Sequence, residues 1–133
     1  LFHEIHFQNL RQEVMEFVKA ARQARVLPVL VTHAFRARRT DQGETARRRV
    51  GEVCHLFQMV PEEVIRGFAG YNDMLREVAK AEGLPLVDLE PLIGPDQRYW
   101  GDATHFAAAG SALAAEELGA AMVPILDRWN TTR

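Results

Sequence analysis

Twice in this chain a helical stretch passes through a Leu-Pro pair into a short apolar run. Leu27-Pro28 leads into residues 29–31, and Leu84-Pro85 leads into residues 86–89. Proline is tolerated at the first position of a strand, where its missing N–H costs least. Neither run alternates apolar with polar residues, so each reads as a strand buried on both faces. The stretches before them have helical periodicity. Over residues 7–24, Leu10, Val14, Phe17, Val18 and Ala21 form one stripe. Over residues 62–81 the stripe is Val64, Phe68, Leu75, Val78 and Ala79, with Gly67 and Gly70 interrupting it and Pro61 marking its start. Helices alternating with buried strands point to an α/β fold with a parallel sheet.

Two strands are too few for such a sheet, whose faces and edges need further members. The sequence therefore predicts either further strands not evident from its pattern or other polypeptide that completes the sheet. Residues 36–60 break the pattern: Arg36, Arg38, Arg39, Arg47, Arg48 and Arg49 surround "TDQGET". This segment reads as an Arg-rich insertion or lid. Within it Val50, Val53, Cys54 and Phe57 mark a helix, with Thr40 or Asp41 as its expected cap. A last helix carries Leu118, Met122, Ile125, Leu126 and Trp129, with Pro124 expected to kink it. The formal net charge of -2 gives no global field for nucleic acid. No uninterrupted apolar run approaches the roughly 18 residues of a membrane span, so no transmembrane segment is expected.

The chemistry concentrates in "YWGDATHFAAAG", residues 99–110. Asp102 and His105 are three residues apart on a turn that runs into a helix, so they project to one side. The carboxylate can then accept from His105 Nδ1–H, fix the tautomer and leave Nε2 as a base. Their place after the last strand is where open α/β sheets bind ligands. Tyr99 and Trp100 are positioned to wall a substrate pocket, and His33, following the first strand, to border it.

The block resembles the last conserved block of the SGNH (GDSL-type) hydrolases, in which an Asp-x-x-His pair opens the final helix and a Gly follows five residues after the His. Gly110 has that spacing. "GYNDMLREVAKAEGLPLVDLEPLI" and "NLRQEVMEFVKAARQARVLPVLVTHAF" resemble the helices and strands that precede it in the family. The likeness covers almost the whole chain except residues 36–60. It implies a three-layer α/β/α flavodoxin-like fold, with residues 1–133 forming the C-terminal part of a single domain. It also implies a serine ester hydrolase without metal or organic cofactor, acting on an acyl lipid or acylated carbohydrate. In that reading His105 is the general base and Asp102 its orienting partner. Ala107 departs from the family, which often has a Thr or Ser cap there.

The family's nucleophile is absent. Ser111, the single serine, falls inside the last helix without a preceding strand, and a nucleophile needs an exposed tight turn. "GYND", residues 70–73, imitates the family's Gly-x-Asn-Asp oxyanion motif but lies inside a helical stripe and after the first strand. It is read as a coincidence, with Asn72 bonded to a neighbouring loop or lying on a helix face. The serine is expected on a missing N-terminal segment of the same domain, which is then a required partner. His3, His6, His33 and His55 have no organised ligand spacing, and Cys54 reads as a buried thiol. Two other functions stay open: a non-catalytic binding or assembly module that keeps the fold without the chemistry, and an O-acyltransferase that uses the same residues.

Overall fold

A computed structural model describes residues 4–131, without the side chains of residues 4–6 and Phe57. The chain is mostly helical. Helix α1 spans Glu4–Gln23, α2 Gly43–Phe57, α3 Pro61–Glu82, α4 Leu89–Leu92 and α5 Ala108–Thr131. Strands β1, Leu30–Val31, and β2, Leu86–Val87, pair in parallel with Leu30 opposite Leu86 and Val31 opposite Val87. The two Leu-Pro runs thus do become parallel strands, each only two residues long.

The expected three-layer α/β/α flavodoxin-like fold is not what forms. Among the described residues the sheet has two strands. A ribbon of that width, about 10 Å, is no broader than one helix and cannot act as a layer. The run 86–89 shortens because Asp88 turns the chain into α4, so Leu89 is helical rather than extended.

Packing divides into three apolar clusters. Leu30 and Leu86 face α1 and α3, where they meet Val14, Met74, Leu75 and Val78. Val87 faces the other way, toward Ile93, Trp100, Ala114 and Ile125 of the loop and α5. The Arg-rich segment supplies α2, whose Ala46, Val50 and Val53 pack with Val64 and Ile65 of α3. Helix α2 lacks the expected Thr40 or Asp41 cap. Gln42 is its N-cap without a side-chain bond, and Asp41 instead accepts the Arg38 N–H and pairs with Arg49. The α1 stripe is narrower than its periodicity implies. Val18 is buried but Phe17 stays exposed, because α1 packs chiefly on α3.

Helix α5 continues through Pro124 to Thr131. By length and composition alone it could cross a membrane, having a mean hydropathy of 1.3 with 17% of that window buried. Glu116 and Glu117 interrupt its apolar run, while its many alanines keep the average high. Among the described residues it also packs Ala114 and Ile125 into the core.

Candidate functional site

The loop from Gly101 to Phe106 is built as a small cage around one carboxylate. Trp100 and Phe106 bridge across its base as an antiparallel pair, and the Gly101 N–H donates to the His105 carbonyl at 2.8 Å. Inside this turn, Asp102 Oδ1 accepts from the Thr104 N–H and the His105 N–H, each at 2.8 Å. Asp102 Oδ2 meets His105 Nδ1 at 2.7 Å. The Thr104 N–H, then the His105 ring and the His105 N–H, hold the Asp102 carboxyl far below the usual carboxylate range. An ionised Asp102 makes Nδ1 the protonated nitrogen, which leaves Nε2 with its lone pair. The His105 side chain is 80% exposed, so that lone pair is presented outward.

Two fastenings position the loop. Ala103 is fully buried among Phe35, Val50 and Val64, and its carbonyl accepts the Arg36 N–H at 3.1 Å. Arg36 itself is buried. Its guanidinium donates to the carbonyls of Arg48 and Arg49 and to Glu52. The second fastening is the start of α5, where the Ala107 N–H donates to the Tyr99 carbonyl at 2.9 Å. Gly110 lies over the same carbonyl, and a Cβ there would come within 2.0 Å of its oxygen. This close approach is the physical reason for a glycine five residues after His105. Ala107 precedes α5 and has no side-chain oxygen to cap it.

The remaining site residues are placed as follows. Trp100 is 4% exposed and its Nε1–H donates to the Gly94 carbonyl, so it supports the loop from beneath. Tyr99 is half-buried and its hydroxyl accepts from Arg98. His33 follows β1, half-buried, with its ring stacked on Phe68 at 5.1 Å. Burial, and then the nearby charge of His105, push its pKa down. Asn72, from the "GYND" sequence, is 1% exposed. Its Oδ1 accepts the His33 N–H at 2.8 Å and its Nδ2 donates to the His33 carbonyl at 2.9 Å. That is a neighbouring-loop bond of the kind the helical context implied. Ser111 is exposed on α5, and among the described residues no hydrogen bond joins it to His105. No group of three or more His, Cys, Asp or Glu side chains among the described residues could hold a metal ion. His3 and the His6 side chain lie outside the described residues.

Sequence reasoning missed an ionic ring at the carboxyl ends of the strands. Arg39 is bidentate to both Asp73 and Glu90, at 2.7 to 2.8 Å. Arg76 bonds Asp73, Asp88 and Glu90 at 2.6 to 2.9 Å. The buried Thr32 hydroxyl donates to Asp88 and accepts the Glu90 N–H. The only sequence signal was charge of both signs at positions that come together through the fold. The ring lines a cavity of about 520 Å³ with Phe35 and Ile93. Another, about 720 Å³, lies at the amino ends of the strands between Pro28, Pro85 and Trp129. Neither is lined by Asp102 or His105.

Comparison with known proteins finds no matching family model, no similar curated protein and no similar solved structure.

Proposed function

We propose that Asp102 and His105 are the base end of a serine ester hydrolase, with the serine contributed by polypeptide outside these 133 residues. One observation carries this reading. A carboxylate held ionised at 2.7 Å from Nδ1 leaves an unencumbered Nε2 on an exposed side chain. Asp102 also braces the turn through the Thr104 and His105 N–H groups, while the exposed imidazole it orients has the form a general base requires. The resemblance of "YWGDATHFAAAG" to the last block of the SGNH hydrolases supports it, as does the close approach that makes Gly110 necessary.

In the reaction, Nε2 takes the serine proton as Oγ attacks the acyl carbonyl. The imidazolium is stabilised by Asp102 and returns the proton to the leaving alcohol. Water then cleaves the acyl-enzyme by the same route. The substrate is an ester of an acyl lipid or acylated carbohydrate. A hydroxyl in place of water at the second step would make the protein an O-acyltransferase.

Labelling of the protein in its complete cellular form with a fluorophosphonate tests the proposal. Labelling of a serine, together with ester turnover that falls on the order of 10³-fold or more in His105→Ala, is the expected result. No labelling, or unchanged turnover in His105→Ala, rejects it. A second reading, a non-catalytic binding or assembly module, is favoured by one observation. The single serine of the chain is on α5 and not bonded to His105. Unchanged partner binding in an unlabelled protein would select that reading.

A further inference from the structure

The proposed base has a second neighbour besides the Asp102 carboxylate. Thr104 Oγ1 lies 3.2 Å from Asp102 Oδ1 and 3.3 Å from His105 Nδ1. A single hydroxyl, on a half-buried residue between the two, thus touches both members of the pair. The Thr104 backbone N–H already donates to Oδ1 at 2.8 Å, and so does the His105 N–H. The turn is therefore braced without the hydroxyl. What the hydroxyl adds is a contact to the ring.

The charge of Asp102 sets the direction of each contact. The Thr104 N–H, then the His105 ring and the His105 N–H, keep its carboxyl ionised, and an ionised carboxylate only accepts. The Thr104 hydroxyl must donate its one proton to Oδ1. It then turns a lone pair toward Nδ1. On its other side Nδ1 faces Oδ2 at 2.7 Å. The Nδ1 proton is shared between Oδ2 and Oγ1, a three-centre bond with one short arm and one long arm.

This arrangement has two effects on the ring. A bare Nδ1 would face acceptors on both arms, so the tautomer with its proton on Nε2 is opposed twice. The ring plane is also fixed. A ring held by one hydrogen bond can swing about it, and a side chain 80% exposed has little packing to stop the swing. Acceptors on two residues remove that freedom. Thr104 is itself confined, because β-branching restricts its χ1.

We propose that Thr104 is a positioning residue for His105: its hydroxyl, anchored on Asp102 Oδ1, is the second acceptor for the Nδ1 proton and fixes the direction in which Nε2 presents its lone pair. Thr104 acts through the pair and touches no substrate. The catalytic consequence deepens the hydrolase reading and rests on it, whereas the hold on the ring does not.

The test uses the complete protein and reads the ring separately from turnover. Thr104→Val keeps the side-chain shape and the backbone N–H but removes the hydroxyl. Thr104→Ser keeps the hydroxyl. In ¹⁵N spectra of the neutral imidazole, wild-type His105 should be in the Nδ1–H form, with a Nδ1 proton protected from exchange with water. Thr104→Val should exchange that proton about 2- to 10-fold faster, the effect of one ordinary hydrogen bond. Thr104→Ser should restore most of the protection. With an ester substrate, kcat should fall by a similar factor in Thr104→Val at unchanged KM and recover in Thr104→Ser. A Nδ1 proton as protected in Thr104→Val as in wild type overturns the positioning role, whatever the turnover. A raised KM with unchanged kcat, or an equal loss of kcat in both variants, also overturns it. Lost protection in Thr104→Val of a protein that cleaves no ester keeps the positioning role and rejects the hydrolase. Should Thr104→Val fail to fold, the wild type decides. Three-bond couplings to Thr104 Cγ2 should report one χ1 rotamer, and averaged couplings overturn the proposal.

Discussion

The carbonyl of Ala103 accepts the backbone N–H of Arg36 at 3.1 Å, with the Ala103 methyl wholly enclosed between α2 and α3. A surface loop is thereby fastened from below to the segment that follows β1, and the Asp102–His105 pair is held on that fastening.

Enlarging the plug should release the loop. Ala103→Leu forces three extra carbons between Phe35, Val50 and Val64, at a cost of about 1–3 kcal/mol. Urea unfolding reads the loss. The low-field His105 Nδ1 proton should broaden or disappear, whereas it should persist in a control such as Ala120→Leu on the exposed face of α5.

Gly110→Ala should act from the other end. Its Cβ would collide with the Tyr99 carbonyl, so α5 must shift away from the loop at about 1–3 kcal/mol. The opposite sign is expected one turn earlier. Ala107→Ser supplies the missing cap and should raise stability by about 1 kcal/mol. Thermal unfolding of the two variants should move in opposite directions.

The ionic ring makes stability sensitive to acid. Asp73, Asp88 and Glu90 are all held below their ordinary values. Arg39 lowers Asp73, and Arg76 with Thr32 overcomes burial at Asp88. Arg39 with Arg76 overcomes burial at Glu90. A depressed folded-state pKa gives stability that is complete above the unfolded carboxylate value, near pH 4. It is lost as pH falls through the folded value. The ring's contribution to unfolding free energy should therefore be flat above about pH 5 and decline below it, and Arg76→Gln should flatten that part of the decline; the depressed His33 pKa adds a separate loss as pH falls below about 6.5. Thr32→Val strands the Glu90 N–H and removes a donor from Asp88, at about 1–3 kcal/mol.

The local elements were legible wherever one chain segment decides its own conformation. Pro61 opens α3, as its place before the apolar stripe predicts, and both Leu-Pro runs became parallel strands. The Asp102–His105 contact follows from a spacing of three residues on a turn, so it too could be read directly. What could not be read depends on which segments meet. Strand β2 ends at Val87, where the chain turns through Asp88, bonded to Thr32 and Arg76, into α4. The layered sheet expected from helix–strand alternation assumed a width that alternation alone does not determine. The burial of Trp100 is not legible either, since nothing nearby in sequence foretells that Gly94 takes its N–H. The ring of Arg39, Asp73, Arg76, Asp88 and Glu90 spans 52 positions, Arg39 to Glu90, and no local pattern encodes it.

The double hydrogen bond between Asn72 and His33 also bears on the free flank of β1. Leu30 and Thr32 direct their N–H groups at β2, so strand alternation turns the His33 peptide toward the opposite flank. There a side-chain amide takes both of its valences and stands where a neighbouring chain would have to pair. A side chain thus plays the part of a terminal strand, one carboxamide long. Open flanks of this kind are where β-sheets recruit foreign chains. Asn72 thus occupies the pairing groups of the His33 peptide that an added strand would use.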